Sequence, residues 1–147
     1  MNESMHFEFK VEGGDFFTAG SASSQVKKIL KRLNVESQVV KRIAVALYEA
    51  EVNIVAHAYR GTILVDIDGT KIRSVLQDEG PGIGDIELAM KEGYSTASPK
   101  VREMGFGAGM GLPNMRKNAD RLHITSKPGA GTCVEIVTYL NGKPGAQ

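Results

Sequence analysis

The chain has 147 residues, a length that suits one domain with a real hydrophobic core. Apolar residues make up 41% of it and charged residues 24%, which indicates a globular chain rather than a disordered one. The formal net charge of +1 gives no reason to expect general binding to nucleic acid or to an acidic membrane surface.

Cysteine content and the first residues indicate the compartment. The one cysteine, Cys133, excludes an internal disulfide bond and fits a reducing cytosol. Residues 1–6 lack the basic and apolar regions of a secretion signal. No apolar run approaches the ~20 residues that a membrane-spanning helix requires. We therefore expect a soluble, cytoplasmic protein whose residues 1–147 form a single domain.

The predicted elements follow from apolar periodicity and from turn residues. The pair Asp68-Gly69 predicts a tight hairpin turn, and Gly61 is expected to end the longer of the first two helices. In chain order, the prediction is a strand at 6–11, helices at 22–33 and 37–59, strands at 62–68 and 71–77, a short helix at 86–91, a glycine-rich mobile loop at 93–111, a helix at 112–122, strands at 123–127 and 132–140, and a frayed tail at 141–147.

This order predicts the fold class. The strands arrive mainly as antiparallel hairpins with helices between them, which favours an α+β, two-layer sandwich. We expect a mixed, mostly antiparallel sheet that is covered on one face by helices. The order is not a run of βαβ units, which argues against a dinucleotide-binding domain of the Rossmann type.

An acid and two glycines directly follow the strand at 71–77. The carboxylate of Asp78 only accepts hydrogen bonds, so it would select a ligand edge that carries donors, such as the adenine amino group. Guanine presents an oxygen there, and the unsatisfied group would cost roughly 1–3 kcal/mol. Gly80 and Gly82 lack a Cβ and would let the backbone approach a flat ligand. An ordinary surface turn is the alternative, because Gly-Pro-Gly is common turn chemistry.

The longer helix carries a polar stripe beside its apolar one. Glu49 and Asn53 are four residues apart and share a helix face, which His57 extends by another turn. An amide oxygen suits Mg²⁺, which completes its shell with water and phosphates, so Asn53 is a candidate ligand and Glu49 can remain free as a base. We interpret His57 as a structural hydrogen-bonding group. A solvated helix face is the alternative interpretation of this stripe.

Alternating glycines at 105–111 lead directly into a predicted helix start. Exposed backbone N–H groups and the positive end of a helix dipole would form an anion site there. No Gly-Lys-Ser/Thr follows, so the segment is not a Walker A motif. A flexible hinge is the alternative, and it is compatible with phosphate binding.

Together these segments resemble the sequence boxes of a known superfamily. The boxes are Glu49-x-x-x-Asn53, Asp78-x-Gly80-x-Gly82-Ile83, Gly107-x-Gly109-Met110-Gly111-Leu112 and Gly131-Thr132. In order and spacing, from about residue 6 to 140, they are similar to those of the gyrase, heat-shock chaperone, histidine-kinase and mismatch-repair ATPases, whose ATP-binding fold is of the Bergerat type. The compact length and segments 93–96 and 111–115 resemble the bacterial anti-sigma factor serine/threonine kinases of the stressosome, partner-switching type.

The resemblance implies an ATP site with Mg²⁺ and a lid at 93–111. Asp78 would hold the adenine amino group with support from Thr132, and Asn53 would coordinate Mg²⁺. Glu49 would be the general base, and Arg102 the cation of the lid, although related kinases place that arginine one residue later, where this chain has Glu103. The implied ATP-binding residues are Asn53, Asp78, Gly80, Gly82, Ile83, Thr96, Lys100, Gly105, Gly107, Ala108, Gly109, Met110, Gly111, Leu112 and Thr132.

The resemblance also implies a protein substrate. This would be a serine or threonine on a small antagonist protein of the STAS type. A sigma factor or downstream regulator and a second copy of the chain are further candidate partners. Two alternatives remain open: an ATP-gated protein that binds a sigma factor or regulator without significant kinase turnover, and a detached catalytic domain of a histidine kinase. The second would need a phosphoacceptor histidine helix, which His6, His57 and His123 do not provide.

Overall fold

The computed structural model describes residues 4–83, 86–91 and 111–140. The predicted tail and, except for its last residue, the predicted lid lie outside these ranges. The described elements are β1 (Met5–Glu12), α1 (Ser21–Arg32), α2 (Ser37–His57), β2 (Arg60–Ile67), β3 (Lys71–Glu79), α3 (Ile86–Ala89), α4 (Gly111–Lys117), β4 (Arg121–Lys127) and β5 (Gly131–Tyr139).

The strands form one sheet in the order β1-β2-β3-β5-β4. Each neighbouring pair is antiparallel, including β3 with β5, which are far apart in the chain. The predicted α+β class with a mostly antiparallel sheet is confirmed. The described strands contain no parallel pair, because the hairpin β4–β5 joins the sheet through β5 and leaves β4 at the edge.

The sheet packs one face against the helices. Ile63, Val65 and Leu76 are buried on that face, whereas Leu64 points away from it and is 45% exposed. From the helix layer, α2 contributes Leu47, which is also fully buried. Each such aliphatic side chain contributes roughly 1.5–3 kcal/mol when it is removed from water. The core therefore lies between α2 and the sheet, and α2 has a fixed position over the strands.

Helix α2 ends at His57, slightly earlier than predicted. Ala58 is extended, with φ −106 and ψ 168, and the chain then enters β2. The prediction that Gly61 ends the helix is wrong, because this glycine lies inside β2 opposite Asp78. A Cβ on Gly61 would lie 2.9 Å from Cδ1 of Ile54, so its absence lets the strand approach α2 closely. In the part of the chain that the structure describes, no helix is long and apolar enough to cross a membrane.

Helix α4 is shorter than the predicted helix at 112–122, and Asp120 shows why. Its Oδ2 accepts the backbone N–H of Tyr139 at 2.8 Å, which joins the chain to β5 before β4 begins. Its Oδ1 lies 3.2 Å from Nη2 of Arg42 on α2. Because Asp120 is already bonded across the sheet, the backbone leaves the helix after Lys117.

Candidate functional site

Asp78 lies near the end of β3, on the helix-facing side of the sheet. Its Oδ1 accepts the backbone N–H of Thr132 in β5 at 3.0 Å. Burial raises the pKa of Asp78 above its ordinary value, although the N–H of Thr132 acts in the opposite direction. Among the described residues no group donates to Oδ2. A half-buried carboxylate with one free oxygen is able to accept a hydrogen bond from a ligand.

Three glycines permit close backbone contacts around Asp78. Gly131 has φ 141, and a Cβ there would lie 2.1 Å from the carbonyl oxygen of Asp78. Gly82 has φ 78, and its Cβ would lie 2.5 Å from the carbonyl oxygen of Lys127. A Cβ on Gly80 would meet the end of α2 at 3.0 Å. Protein packing therefore requires glycine at 82 and 131 and leaves little space for a side chain at 80, and direct contact of Gly80 and Gly82 with a ligand stays a prediction.

Ser126 joins three parts of this region and was missed by sequence reasoning. Its Oγ accepts the backbone N–H of Ile83 at 2.6 Å and lies 2.8 Å from Oγ1 of Thr132. It also lies 3.2 Å from the carbonyl oxygen of Gly131. The sequence contained one indication, because residues that flank a short hairpin turn face each other, and Ser126 pairs with Thr132.

The polar stripe of α2 faces the start of α4. A Cβ on Gly111 would lie 3.3 Å from Oδ1 of Asn53 and 3.5 Å from Oε2 of Glu49. Nδ2 of Asn114, one turn into α4, makes a long 3.4 Å contact with Oε1 of Glu49. All four residues are half-buried. The structure thus places Glu49, Asn53 and Gly111 side by side, whereas their chemical roles stay predictions.

Helix α2 connects the two clusters. Ala58, which follows the helix, contacts Gly80, whose added Cβ would also be 3.5 Å from Oδ1 of Asp78. At a rise of 1.5 Å per residue, Glu49 and His57, the last residue of α2, are about 12 Å apart along the helix axis. The cluster that contains Asp78 therefore lies near the C-terminal end of α2, and the carboxylate–amide pair of Glu49 and Asn53 lies nearer the middle of this helix. This separation suits an elongated ligand with a base at one end and phosphates at the other.

The described residues also limit how a metal could bind. They contain no group of three or more His, Cys, Asp or Glu side chains that could hold a metal ion. The amide oxygen of Asn53 is of a type that suits Mg²⁺ beside phosphate and water oxygens, and its role as a ligand stays a prediction. Burial lowers the pKa of His57, so its imidazole is neutral near pH 7 and adds no positive charge to the stripe.

Several predicted site residues cannot be placed. Those outside the described ranges are Thr96, Lys100, Arg102, Gly105, Gly107, Ala108, Gly109 and Met110. Leu112 is described, and its side chain is 6% exposed and packs in the core. Only its backbone could therefore contact a ligand.

Sequence reasoning also missed Glu51, which is 2% exposed. Its Oε2 accepts the backbone N–H groups of Gly20 at 3.0 Å and Ala22 at 3.1 Å. Its Oε1 accepts the N–H of Ser23 at 2.9 Å. Glu51 thus caps the start of α1, where Gly20 supplies no side chain for the purpose. Its spacing of four from Leu47, on the apolar stripe of α2, was the indication that this acid is buried.

The structure combines an antiparallel sheet covered by helices, an acid at the end of one strand and a carboxylate–amide pair on the covering helix. This combination is the one expected of the ATPase class predicted from the sequence boxes. The family model described as "Histidine kinase-like ATPase domain" matches residues 18–138, and the chain belongs to this family.

Named relatives narrow the comparison. The anti-sigma F factor of Thermoanaerobacter sp. (strain X514) is 34% identical over 124 residues, which cover 81% of this chain and 83% of that protein. The serine/threonine-protein kinase RsbT of Bacillus subtilis (strain 168) is 29% identical over 118 residues, covering 78% and 83%. These relatives confirm the resemblance to anti-sigma factor serine/threonine kinases.

One solved structure shows the same fold. It is the crystal structure of the RsbU and RsbW domains of Rv1364c from Mycobacterium tuberculosis, with a TM-score of 0.60 and 14% sequence identity. The match covers 94% of this chain and 32% of that longer one. Most of this fold therefore recurs as one part of a longer chain.

Proposed function

We propose that the chain is an ATP-dependent serine/threonine protein kinase that phosphorylates a STAS-type antagonist protein in a partner-switching pathway. Membership of an ATPase-domain family supports ATP as the ligand. The names of the relatives support a regulator of this pathway type. The observation that carries the proposal is the position of Glu49 beside Asn53 and Gly111, since binding alone would not need a half-buried carboxylate there.

At the base end, Asp78 would select adenine. Its Oδ2, to which no group of the described residues donates, can accept a hydrogen bond from the amino group, while Oδ1 is held in place by the N–H of Thr132. A base with a carbonyl oxygen at that position would leave two acceptors facing each other, at a cost of roughly 1–3 kcal/mol. The β3–β5 pairing orients this carboxylate before a ligand arrives, so little ordering is required on binding.

At the phosphate end, Glu49 would act as general base. The hydroxyl oxygen of the substrate forms a bond to the γ-phosphorus, the bond to the ADP oxygen breaks, and the hydroxyl proton passes to the carboxylate of Glu49. Asn114 contacts the other side of this carboxylate and would orient it. Asn53 would be a ligand of Mg²⁺, which supplies neutralisation of phosphate charge when bound.

The relatives named anti-sigma F factor favour a second candidate function. In this case the protein binds a sigma factor when ATP is present, and phosphoryl transfer is slow or absent. Both candidates use the same nucleotide site, so only turnover separates them.

The decisive experiment mixes the purified protein with γ-labelled ATP and the STAS-type proteins encoded near its gene. We expect label on a serine or threonine of one of them. Glu49→Gln should lower the transfer rate about 10²–10⁴-fold without changing the Kd for ATP, because a general base contributes that much. The matched control is Glu79→Gln, an exposed glutamate that pairs with Arg60 and should leave the rate unchanged.

Either of two results would count against the kinase. Full activity of Glu49→Gln would refute the role of the base. ATP-dependent binding of a sigma factor together with no labelled protein would support the second candidate instead.

A further inference from the structure

The hydroxyl of Ser126 has three hydrogen-bonding neighbours, which restrict the direction of its own hydrogen. Its Oγ lies 2.6 Å from the N of Ile83, 2.8 Å from Oγ1 of Thr132 and 3.2 Å from the carbonyl oxygen of Gly131. A serine hydroxyl has one hydrogen and two lone pairs. Three neighbours can therefore all be bonded only if two of them donate and one accepts.

The chemistry of the neighbours decides which arrangement satisfies all three. The N–H of Ile83 can only donate, and the carbonyl of Gly131 can only accept. Ser126 must then give its own hydrogen to Gly131 and accept the hydroxyl hydrogen of Thr132. In the opposite arrangement Ser126 donates to Thr132, and the oxygens of Ser126 and Gly131 face each other at 3.2 Å without a hydrogen between them. The first arrangement is favoured because Ser126 is half-buried and water cannot readily replace the lost bond.

Thr132 also touches Asp78, since its backbone N–H holds Oδ1 of that carboxylate. When its hydroxyl hydrogen is used by Ser126, the oxygen of Thr132 has only lone pairs left for a ligand beside Asp78. We infer that Ser126 is a positioning residue that fixes Thr132 as a hydrogen-bond acceptor, so that Asp78 and Thr132 together favour a base edge that carries an amino group. This inference rests on the proposed nucleotide site and adds the residue that sets its selectivity.

The test compares the Kd values of ATP and inosine triphosphate, in which a carbonyl oxygen replaces the adenine amino group. In Ser126→Ala the hydroxyl of Thr132 becomes free to rotate and donate to that oxygen. The preference for ATP, expressed as the ratio of the two Kd values, should fall about tenfold, as expected for one donor–acceptor mismatch. Loss of the bond to Ile83 would weaken both nucleotides alike and leave the ratio unaffected.

Three further variants separate positioning from a merely structural role. Ser126→Thr keeps a hydroxyl and should keep the preference. Thr125→Ala removes a hydroxyl from the exposed face of β4 and should also keep it. In a Thr132→Val background, Ser126→Ala should no longer change the ratio, because the group that it positions is absent.

The outcomes are distinguishable. If wild-type protein binds ATP and Ser126→Ala keeps a ratio within twofold of wild type, the inference fails while the nucleotide site stands. If wild-type protein does not bind ATP, the proposed function fails and the inference with it. If Ser126→Ala does not fold, the ratio of the two Kd values in Thr132→Val tests the inference alone. A lower preference for ATP supports it, because valine removes the acceptor, whereas an unchanged or higher preference overturns it.

Discussion

Replacing Glu51 by alanine removes the acceptor of three backbone N–H groups at the start of α1. The site is 2% exposed, so water cannot readily take the place of the carboxylate. A lost N-cap usually costs about 0.5–2 kcal/mol, and each buried donor left without a partner costs about 1–3 kcal/mol. Because these terms overlap, we expect Glu51→Ala to lower the free energy of unfolding by about 3–5 kcal/mol. This is a large part of the 5–15 kcal/mol typical of a domain.

Glu51→Gln should destabilise the protein less than Glu51→Ala, because it changes the hydrogen bonding and keeps the shape of the side chain. A glutamine keeps one acceptor oxygen, which can serve Gly20 and Ala22 in the position of Oε2. Its amide NH₂ then faces the N–H of Ser23, so one bond is replaced by two opposed donors. We expect the free energy of unfolding to fall by about 1–3 kcal/mol, which is less than for the alanine variant.

Urea unfolding followed by circular dichroism measures these differences, provided that the slope of the transition stays constant. The matched control is Glu36→Ala, at the N-cap of α2, where the exposed side chain makes no capping hydrogen bond. It should change stability by less than about 0.5 kcal/mol. If Glu51→Ala costs no more than Glu36→Ala, the capping bonds of Glu51 contribute nothing net, and the argument from buried donors is refuted.

Three other predictions concern Asp78, Asp68 and Gly131. Asp78→Asn should weaken ATP binding at least tenfold and yet raise the Tm of the nucleotide-free protein at neutral pH. Burial raises the pKa of Asp78 above its ordinary value of 3.8, so the ionised carboxylate destabilises the fold at neutral pH. This destabilisation disappears as the pH falls below 3.8, where the carboxyl group is protonated in the folded and the unfolded chain alike. A lower Tm of Asp78→Asn than of wild type at neutral pH, measured by scanning calorimetry, would contradict this reasoning. Asp68→Asn should be less stable than wild type at pH 6, with the difference vanishing as the pH falls from about 4 to 2. The N–H and hydroxyl of Thr70 lower the pKa of Asp68 to about 2, and a pH-independent difference in urea titrations would exclude this origin. Gly131→Ala should lower the free energy of unfolding by about 1–3 kcal/mol more than Gly129→Ala. Both glycines have a positive φ, but only at 131 would the new Cβ meet backbone, at 2.1 Å. Equal losses in urea unfolding would show that the positive φ alone accounts for the cost.

Patterns that repeat within one segment allowed most elements to be predicted. The alternation in β2 and β3 follows the burial of Ile63, Val65 and Leu76, and the turn between these strands is where Asp68 accepts the N–H groups of Thr70 and Lys71. Such features depend on neighbours in sequence, and periodicity reports them directly. The end of α2 was misplaced, since a glycine after an apolar stripe indicates a helix end as readily as a strand packed closely on a helix.

The candidate site shows the same division. Glu49 and Asn53 were found from their spacing on one helix. Ser126 and Glu51 were missed because their partners are distant in the chain: Ser126 bonds to Ile83 across 43 positions, and Glu51 bonds to Gly20 across 31. A side chain with such partners has no local sequence pattern, so only the assembled sheet and helix pair reveals its role.

The pairing of β3 with β5 has a consequence for synthesis of the protein. Asp78 and Thr132 are 54 positions apart, and the strand that carries Thr132 is the last one described in the chain. A ribosome that adds about 5–20 residues per second needs roughly 3–12 s to pass from Asp78 to the end of β5. During that interval β2 can already pair with β3, but the N–H of Thr132 that holds Oδ1 is not yet present. A ligand that needs the held carboxylate can therefore bind only after β5 has paired with β3, so its binding would distinguish chains in which this pair has formed from chains in which it has not.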